Sequence, residues 1–349
     1  MAATTIEIGS DEAEQRIDRW LRKRFEGLAQ GQVEKLCRKG EVRVDGGRVK
    51  ASTRVGPGQV VRVPPQIGAL AKQALDRPVT GKKDADSKVS SDLIFQLTNA
   101  ILYRDDHLLV LNKPPGLPVQ GGSKLTEHIA GALDGLRFER EDAPRLIHRL
   151  DRDTSGLLVL ARTGAAATAL GGMFRTRAVE KIYFAAVAGR PQPSAGTIHF
   201  GLMKQGSHGN EKMVAIHPNE VKRTEGAKPA ITDFSVVEQA ASRMAWVALR
   251  PHTGRTHQLR VHMAEIGCPI AGDGKYGGRA QENLGDGWGG GMGGALSRKM
   301  HLHAARLRFE HPVTGKELRL SAPLPEHMAR TWEMLGWRES DCPEDIFEV

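Results

Sequence analysis

The feature that most constrains this chain is an uninterrupted apolar run at residues 156–161 that directly follows a dense charged cluster. The two together read HRLDRDTSGLLVLA over residues 148–161. An apolar run without polar alternation is typical of a strand buried on both faces of a sheet. Two arginines and two aspartates at the mouth of such a strand are costly to desolvate unless they pair or take part in chemistry. The stretch therefore predicts a buried sheet with a functional loop at one end.

Similar strand-like runs recur through the C-terminal part of the chain. They alternate with turns and a few helices, and they read HLLVLN, GLLVLA, KIYFAAVAG and MAWVALR. This order is typical of an α+β fold with a mixed, largely antiparallel sheet. Because 349 residues are ample for two domains, we predict a main domain over residues 93–335 and a C-terminal tail over residues 336–349.

The N-terminal part predicts a small basic α/β domain over residues 1–64. Two amphipathic helices are indicated by the apolar positions Ile17, Trp20, Leu21, Leu28, Val33, Leu36 and Cys37, with Gly40 as the stop. The run EVRVDGGRV predicts a hairpin with an Asp-Gly turn, and QVVRV predicts another strand. Residues 16–63 hold 13 Lys/Arg and 5 Asp/Glu, which accounts for +8 of the chain's net +9. Such a concentrated charge favours a nucleic-acid partner.

Other segments indicate linkers and cellular setting. Residues 65–92 are polar and poor in aromatics, which predicts a flexible tether. Residues 285–295 form a glycine-rich stretch that lacks P-loop features, so we expect a flexible insertion. Cys37, Cys268 and Cys342 are far apart without CxxC spacing, which argues against a disulfide framework or a thiolate metal site. Without a leader or an apolar run long enough to span a bilayer, we expect a cytoplasmic monomer that does not bind membranes.

The charged cluster admits more than one chemical reading. Asp151 and Asp153 are two residues apart and could both ligate a metal, but Arg149 and Arg152 would compete for their carboxylates. The quartet could also be a set of ion pairs that ties a loop to the sheet. We expect Asp153 to be a hydrogen-bond acceptor that stabilises the loop.

A second cluster lies at residues 251–277, PHTGRTHQLRVHMAEIGCPIAGDGKYG. It predicts a helix with an apolar face and a glycine stop, in which the caps are Thr253, Gly254 and Thr256, the face is Leu259, Met263 and Ile266, and the stop is Gly267. Arg255 and Arg260 would lie near the helix N-terminus, where an anion is favoured and where a carboxylate such as Asp151 could be kept ionised. His257 and His262 are five apart, so a shared zinc site is disfavoured.

Two further elements remain ambiguous from the residues alone. KPPGLPVQGG at residues 113–122 predicts a stiff turn after a strand. Tyr183 lies in a strand-like run, where it could be core or could offer a flat surface on which a base stacks.

Taken together, these stretches resemble known families. Residues 16–64, with KGEVRVDGGRVK, are similar to the S4 RNA-binding module, which implies RNA contacts by Arg19, Lys23, Arg38, Lys39 and Arg43. KPPGLPV, HRLDRDTSGLLVLA, KIYFAAVAG and the 251–277 cluster, in that order, resemble the RluA superfamily of pseudouridine synthases that act on large-subunit ribosomal RNA. Within it the chain looks most like the C type, with the D type or a tRNA target as the alternative.

The resemblance implies a role for each matching residue. Asp151 corresponds to the catalytic carboxylate, and no cofactor is needed. By resemblance, Arg260 pairs with Asp151, and Arg149 enters the RNA stack. Tyr183 packs on the flipped base, and Leu259 contacts that base. We also expect Arg255 to bind substrate. Lys113 is a candidate for the same role, and Lys113 and His148 are both also interpreted as architectural residues of their motifs. A catalytically silent ribosome-assembly factor and a metal-dependent nuclease or glycosidase are the competing functions.

Overall fold

The chain divides into two compact units, Met1–Asp86 and Ser87–Val349. The computed structural model describes residues 3–9, 12, 14–70, 90–121, 127–206, 211–241, 243–277 and 296–348. Most of the expected tether at 65–92 and all of the expected insertion at 285–295 lie outside these residues. Within the same ranges, every helix is too short or too polar to cross a membrane.

The first unit follows the predicted pattern of a helix pair and short strands. Its elements are β1 (Thr4–Glu7), β2 (Gln15–Arg16), α1 (Ile17–Arg24), α2 (Gln30–Lys39), β3 (Arg43–Val44), β4 (Gly47–Arg48), β5 (Arg54–Val55) and β6 (Val60–Val63). The apolar helix positions named above are all buried in one core, as predicted. Gly40 ends α2 in the left-handed region at φ +71°. Asp45 and Gly46, at φ +50° and +80°, form the predicted Asp-Gly turn between β3 and β4.

The second unit is an α+β structure, as predicted. Its strands are β7 (Ile101–Arg104), β8 (Leu108–Lys113), β9 (Arg145–Leu146), β10 (Ser155–Ala161), β11 (Glu180–Ala188), β12 (Ala195–Gln205), β13 (Lys212–Ile216), β14 (Lys228–Ala240), β15 (Met244–Pro251), β16 (Leu302–Glu310) and β17 (Glu317–Ser321). Its α-helices are α3 (Ser91–Asn99), α4 (Ile129–Ala132), α5 (Gly164–Thr176), α6 (Gln258–Glu265) and α7 (Glu326–Leu335).

These strands form one mixed sheet. Its order is β13-β12-β14-β15-β11-β16-β10-β8-β7, with β9 paired to β10 and β17 to β16. Among the described residues, the β10–β16 pair is parallel and the other strand pairs are antiparallel. The parallel pair requires a close approach, since Gly156 has φ +106° and a Cβ there would lie 2.3 Å from the carbonyl oxygen of Ala304.

Strand β10 is buried along its whole length, which confirms the prediction from its apolar run. Leu158 and Leu160 face a core that also holds Leu93 and Leu97 of α3. Leu157 and Val159 face the opposite core, which holds Leu170 of α5. Because successive side chains of a strand alternate between faces, helices on both sides of the sheet keep β10 dry.

Two predicted boundaries differ from the structure. Helix α3 begins at Ser91, with the Ser90 side chain capping the Leu93 N–H, so ordered structure starts before residue 93. The expected tail at 336–349 packs on the sheet, because Trp337 and Cys342 are buried in the core beside Trp246. Apolar residues spaced along a short polar segment allowed this packing, and composition alone does not reveal it.

Candidate active site

Asp151 lies in the loop between β9 and β10, and this loop is anchored to the turn that follows β8. The Arg152 carbonyl accepts hydrogen bonds from the Gly116 N–H and from Lys113 Nζ, both at 2.9 Å. In return, Arg152 Nε donates to the Gly116 carbonyl at 3.0 Å. The stiff proline-glycine turn therefore serves as a rigid support for the loop that carries Asp151.

Lys113 is the centre of this support. It is fully buried, and Nζ also donates to the Pro114 and Leu117 carbonyls at 2.8 and 2.9 Å. Burial lowers the pKa of Lys113 to about 7, against the opposing effect of Asp153 and Asp151. With its three donors directed at backbone carbonyls, Lys113 is an anchor of the loop, which corrects the expectation that it binds substrate.

His148 holds the other side of the loop. Its Nε2 accepts a hydrogen bond from the Val159 N–H of β10 at 2.9 Å, and its ring stacks on Phe174 at 4.4 Å between centroids. Burial lowers the pKa of His148 to about 3, with a further contribution from Lys181. A neutral imidazole is the form that accepts from a backbone N–H, so His148 occupies the architectural position expected of it.

The cation beside Asp151 is Arg260 of α6, which has two carboxylate partners. Arg260 Nη1 lies 3.4 Å from Asp151 Oδ2. Its stronger contact is a two-pronged one with Asp273, with Nε–Oδ2 at 2.7 Å and Nη2–Oδ1 at 2.8 Å. Burial alone would raise the pKa of Asp273, but hydrogen bonds and charge from Arg260 hold it below its usual value. Asp273 thus fixes the guanidinium that faces Asp151.

A second group beside Asp151 is His257. Its Nε2 lies 3.8 Å from Asp151 Oδ2, and its Nδ1 lies 2.8 Å from the Tyr276 hydroxyl. Sequence reasoning missed His257, Asp273 and Tyr276 as members of the site. The segment GDGKYG, which carries the last two, offered no charge pattern that linked it to Asp151.

The entry to α6 differs from the predicted cap. His257 itself is the N-cap, at φ +54°, and makes no side-chain capping bond. Thr253 instead accepts a hydrogen bond from the Ile231 N–H of β14 and contacts Gln258 Oε1 at 2.6 Å. Gln258 donates to the Ile231 carbonyl and to the Thr232 hydroxyl, so it ties the helix start to the sheet. Of the predicted apolar face, Leu259 and Met263 are buried and Ile266 is half-buried at the C-cap.

Asp151 opens into a cleft of about 500 Å³. Among the residues that line it are four of the candidates named from the sequence: Arg149, Tyr183, Arg255 and Leu259. Burial, followed by the charge of Asp151, raises the pKa of Tyr183, so its hydroxyl stays protonated. Arg149 is exposed, whereas Arg255 donates from Nε to the Pro229 carbonyl at 3.2 Å. The structure therefore brings a carboxylate, a fixed cation and an aromatic side chain to one cleft.

Asp153 does not have the expected loop-stabilising contact. It is exposed and accepts no hydrogen bond from any residue in the described part of the chain. Within those residues, no group of three or more His, Cys, Asp or Glu side chains is arranged to hold a metal ion.

The basic candidates of the first unit differ in their surroundings. Arg19, Lys23 and Arg38 are exposed on the two helices, and Lys39 lies 3.7 Å from Glu41. Arg43 is half-buried and donates to the Gly40 and Gly46 carbonyls, so it holds the hairpin.

Comparison with known proteins identifies the family of each part of the chain. Residues 107–265 match the model of the RNA pseudouridylate synthase family, and residues 15–61 match the S4 domain. A ribosomal large subunit pseudouridine synthase C from Yersinia pestis is 38% identical over 325 residues, covering 93% of this chain and 92% of that protein. The protein of the same name from Escherichia coli (strain K12) is 37% identical over 332 residues, covering 95% and 96%.

A solved structure shows the same architecture. The human RNA pseudouridylate synthase domain containing 4 protein is 34% identical, has a TM-score of 0.58, and covers 70% of this chain and 96% of its own. The two curated relatives align with more than nine-tenths of this chain, and the S4 match lies within the first unit. The chain therefore belongs to the family of RNA pseudouridylate synthases, isomerases that convert uridine to pseudouridine in RNA, and carries an S4 domain at its N-terminal end.

Proposed function

We propose that this protein converts uridines of large-subunit ribosomal RNA to pseudouridine, with Asp151 as the catalytic carboxylate. The observation that carries the proposal is the position of Asp151, half-buried in the cleft and 3.4 Å from Arg260. Arg260 is itself fixed by Asp273. A fixed neighbouring cation gives the carboxylate a defined orientation in the cleft.

The chemistry requires a negatively charged group close to the anomeric carbon, C1′. The N1–C1′ bond of uridine breaks, the uracil rotates, and C5 forms a bond with C1′. C5 then loses its proton and N1 gains one, so that the product is an isomer of the substrate. Positive charge that develops at C1′ is stabilised by a nearby carboxylate, as in glycoside hydrolysis. Asp151 supplies the negative charge, and Arg260 holds the Asp151 carboxylate in position.

The target base must first leave its helix. Flipping a base out of its stack costs a few kcal/mol, and enzymes offset this by holding the base against aromatic or apolar side chains. Tyr183 and Leu259 provide such surfaces in the cleft. We assign to Arg149, which is exposed at the same cleft, the role of entering the gap that the base leaves in the RNA.

The choice of substrate rests on the relatives and on the first unit. Relatives that cover nearly the whole chain bear the name ribosomal large subunit pseudouridine synthase C. Exposed Arg19, Lys23 and Arg38 give the S4 unit a second, phosphate-binding surface. Two linked binding surfaces raise the effective concentration of a large folded RNA at the cleft. We place the enzyme in the cytoplasm, beside the ribosomal RNA that it modifies.

The test is pseudouridine mapping of ribosomal RNA and tRNA from a strain that lacks the gene, complemented with wild-type protein or with Asp151→Asn. We expect one or more large-subunit sites to vanish and to return with wild-type protein alone. Purified Asp151→Asn should still bind a large-subunit RNA fragment within a few fold of wild type, because the RNA backbone dominates affinity.

Two results would refute parts of the proposal. Restoration of the sites by Asp151→Asn would remove Asp151 from the chemistry. If no site changes and the purified enzyme leaves ribosomal RNA unmodified, the chain is a silent RNA-binding factor. Sites that vanish only from tRNA would retain the chemistry and reject the ribosomal target.

A further inference from the structure

His257 links Asp151 to a tyrosine that the reaction does not otherwise involve. Its imidazole lies between the two, with Nε2 at 3.8 Å from Asp151 Oδ2 and Nδ1 at 2.8 Å from the Tyr276 hydroxyl. The His257 and Tyr276 rings meet edge to face, with centroids 5.5 Å apart. The three side chains thus form a continuous row that starts at the carboxylate in the cleft.

The donors present favour one arrangement of the protons in this row. The Tyr276 oxygen already accepts a hydrogen bond from the Met213 N–H at 3.0 Å. The described acceptor within reach of the Tyr276 O–H is His257 Nδ1. If Nδ1 accepts, the neutral ring carries its proton on Nε2, and Nε2 is the atom that faces Asp151.

The backbone of His257 is held in an uncommon conformation. Its φ of +54° lies in the left-handed region, which is unfavourable for a residue with a Cβ. Such conformations are concentrated at functional sites, where the surrounding structure enforces them. Here the conformation places the imidazole beside Asp151 at the start of α6.

We propose that His257 is a positioning residue for Asp151, oriented by Tyr276 and donating from Nε2 to the carboxylate that Arg260 also holds. The inference rests on the proposed role of Asp151 and adds a second donor to it. The 3.8 Å separation is beyond hydrogen-bond range, and the proposal requires it to shorten when substrate binds, as long catalytic hydrogen bonds often do. His257 and Arg260 would then both donate to Asp151 Oδ2 and restrict the rotation of the carboxylate.

The arrangement also predicts how the reaction depends on pH. Five groups face the imidazole: Asp151 from the β9–β10 loop, Arg260 from α6, and Asp273, Lys275 and Tyr276 from the segment after it. Burial, Arg260 and Lys275 lower the pKa of His257, against the opposing charges of Asp151 and Asp273. The ring is therefore neutral at pH 7. Protonation in acid adds a second full positive charge beside Asp151 and removes the acceptor for Tyr276, so turnover falls.

The first experiment compares His257→Leu with His257→Gln under single-turnover conditions. Both substitutions carry the same backbone penalty at φ +54°, and glutamine alone retains a donor near the position of Nε2. We expect the Leu variant to lose about 10- to 100-fold in rate with RNA affinity unchanged, since misplaced catalytic groups cost rate rather than binding. The Gln variant should recover most of that loss, and the acid fall in its pH–rate profile should move to lower pH because the imidazole no longer contributes to it.

Tyr276→Phe tests the orientation of the ring without altering residue 257. Removal of the hydroxyl should reduce the rate several-fold and move the acid fall, while His217→Leu, at an exposed histidine outside the site, should leave both unchanged. Equal rates for the Leu variant and wild type, or an unaltered acid fall in the Gln variant, would overturn the inference. Melting curves separate these effects from unfolding.

A nuclear magnetic resonance measurement tests the same geometry without catalysis. Imidazole ¹⁵N shifts should show His257 as the Nε2–H tautomer, and Asp151→Asn should lower the pKa of His257 because it removes a favourable charge. An Nδ1–H tautomer, or a His257 titration indifferent to Asp151→Asn, would overturn the inference. If wild-type enzyme makes no pseudouridine, the proposed function fails, and this measurement still decides the position of His257.

Discussion

Asp273→Asn is the substitution that tests most directly how the site is held together. Asp273 is buried and makes two short contacts with the equally buried Arg260. Its Oδ1 also accepts from the N–H groups of Lys275 and Tyr276 at 2.9 and 3.1 Å. In either orientation of the new amide, its NH₂ group faces a donor, so asparagine leaves Arg260 or the turn without an acceptor.

The magnitude follows from burial. Breaking a buried ion pair by removing one partner costs about 3–5 kcal/mol. For a unit of about 260 residues, the entropy of unfolding is about 0.55 kcal/mol/K, so Tm of that unit should fall by about 6–9 °C. A guanidinium that moves by about 1 Å should also lower the rate of pseudouridine formation by about 100-fold.

The assays are calorimetric unfolding and single-turnover pseudouridine formation, with Asp134→Asn as the control. Asp134 makes an exposed pair with Arg137 at 2.9 Å, and such pairs contribute at most about 1 kcal/mol. An Asp273→Asn protein that melts and reacts like the Asp134→Asn protein would refute the reasoning, since Arg260 would then hold its position unaided.

Three further predictions concern the scaffold and the S4 unit. Gly156→Ala should destabilise the second unit more than Gly116→Ala does, because both have positive φ but only Gly156 would place a Cβ against Ala304; equal melting temperatures would contradict this. His301 and His303 are buried with pKa values lowered to about 4, so stability is complete above about pH 6.5 and is lost as pH falls toward 4. Each of these histidines should lower the free energy of unfolding by about 2 kcal/mol at pH 5 relative to pH 7.5. An unchanged urea midpoint between pH 7.5 and 5 would argue against this pH dependence. Arg19→Ala with Lys23→Ala should reduce the salt slope of RNA binding by about 1–2, whereas Lys316→Ala should not; an unaltered slope would place α1 away from RNA.

Features that depend on local periodicity and turn chemistry could be predicted before the structure was known. The apolar run of β10, the buried faces of α1 and α2, and the Asp45-Gly46 turn are each specified by residues within a few positions of one another. Hydrophobic side chains that recur with the period of a helix or strand lie on one face, and that face packs against the core. An Asp-Gly pair fits the positive φ angles of a tight hairpin. The residues alone indicated Arg255 and Arg260 as candidate cations for Asp151, and the choice of Arg260 came through family resemblance.

The surroundings of Asp151 depend on long-range packing. Arg260 is 109 residues from it in the chain, and their contact exists because the β9–β10 loop that carries Asp151 lies beside α6. His257 at the start of α6 completes the site together with Asp273 and Tyr276, which lie in a turn whose sequence carries no periodic signal. Lys113 looked like a substrate-binding cation, yet burial and three carbonyls make it an anchor. Local patterns record which side chains are buried, whereas the choice of partner for a buried charge is settled only when distant strands and helices pack.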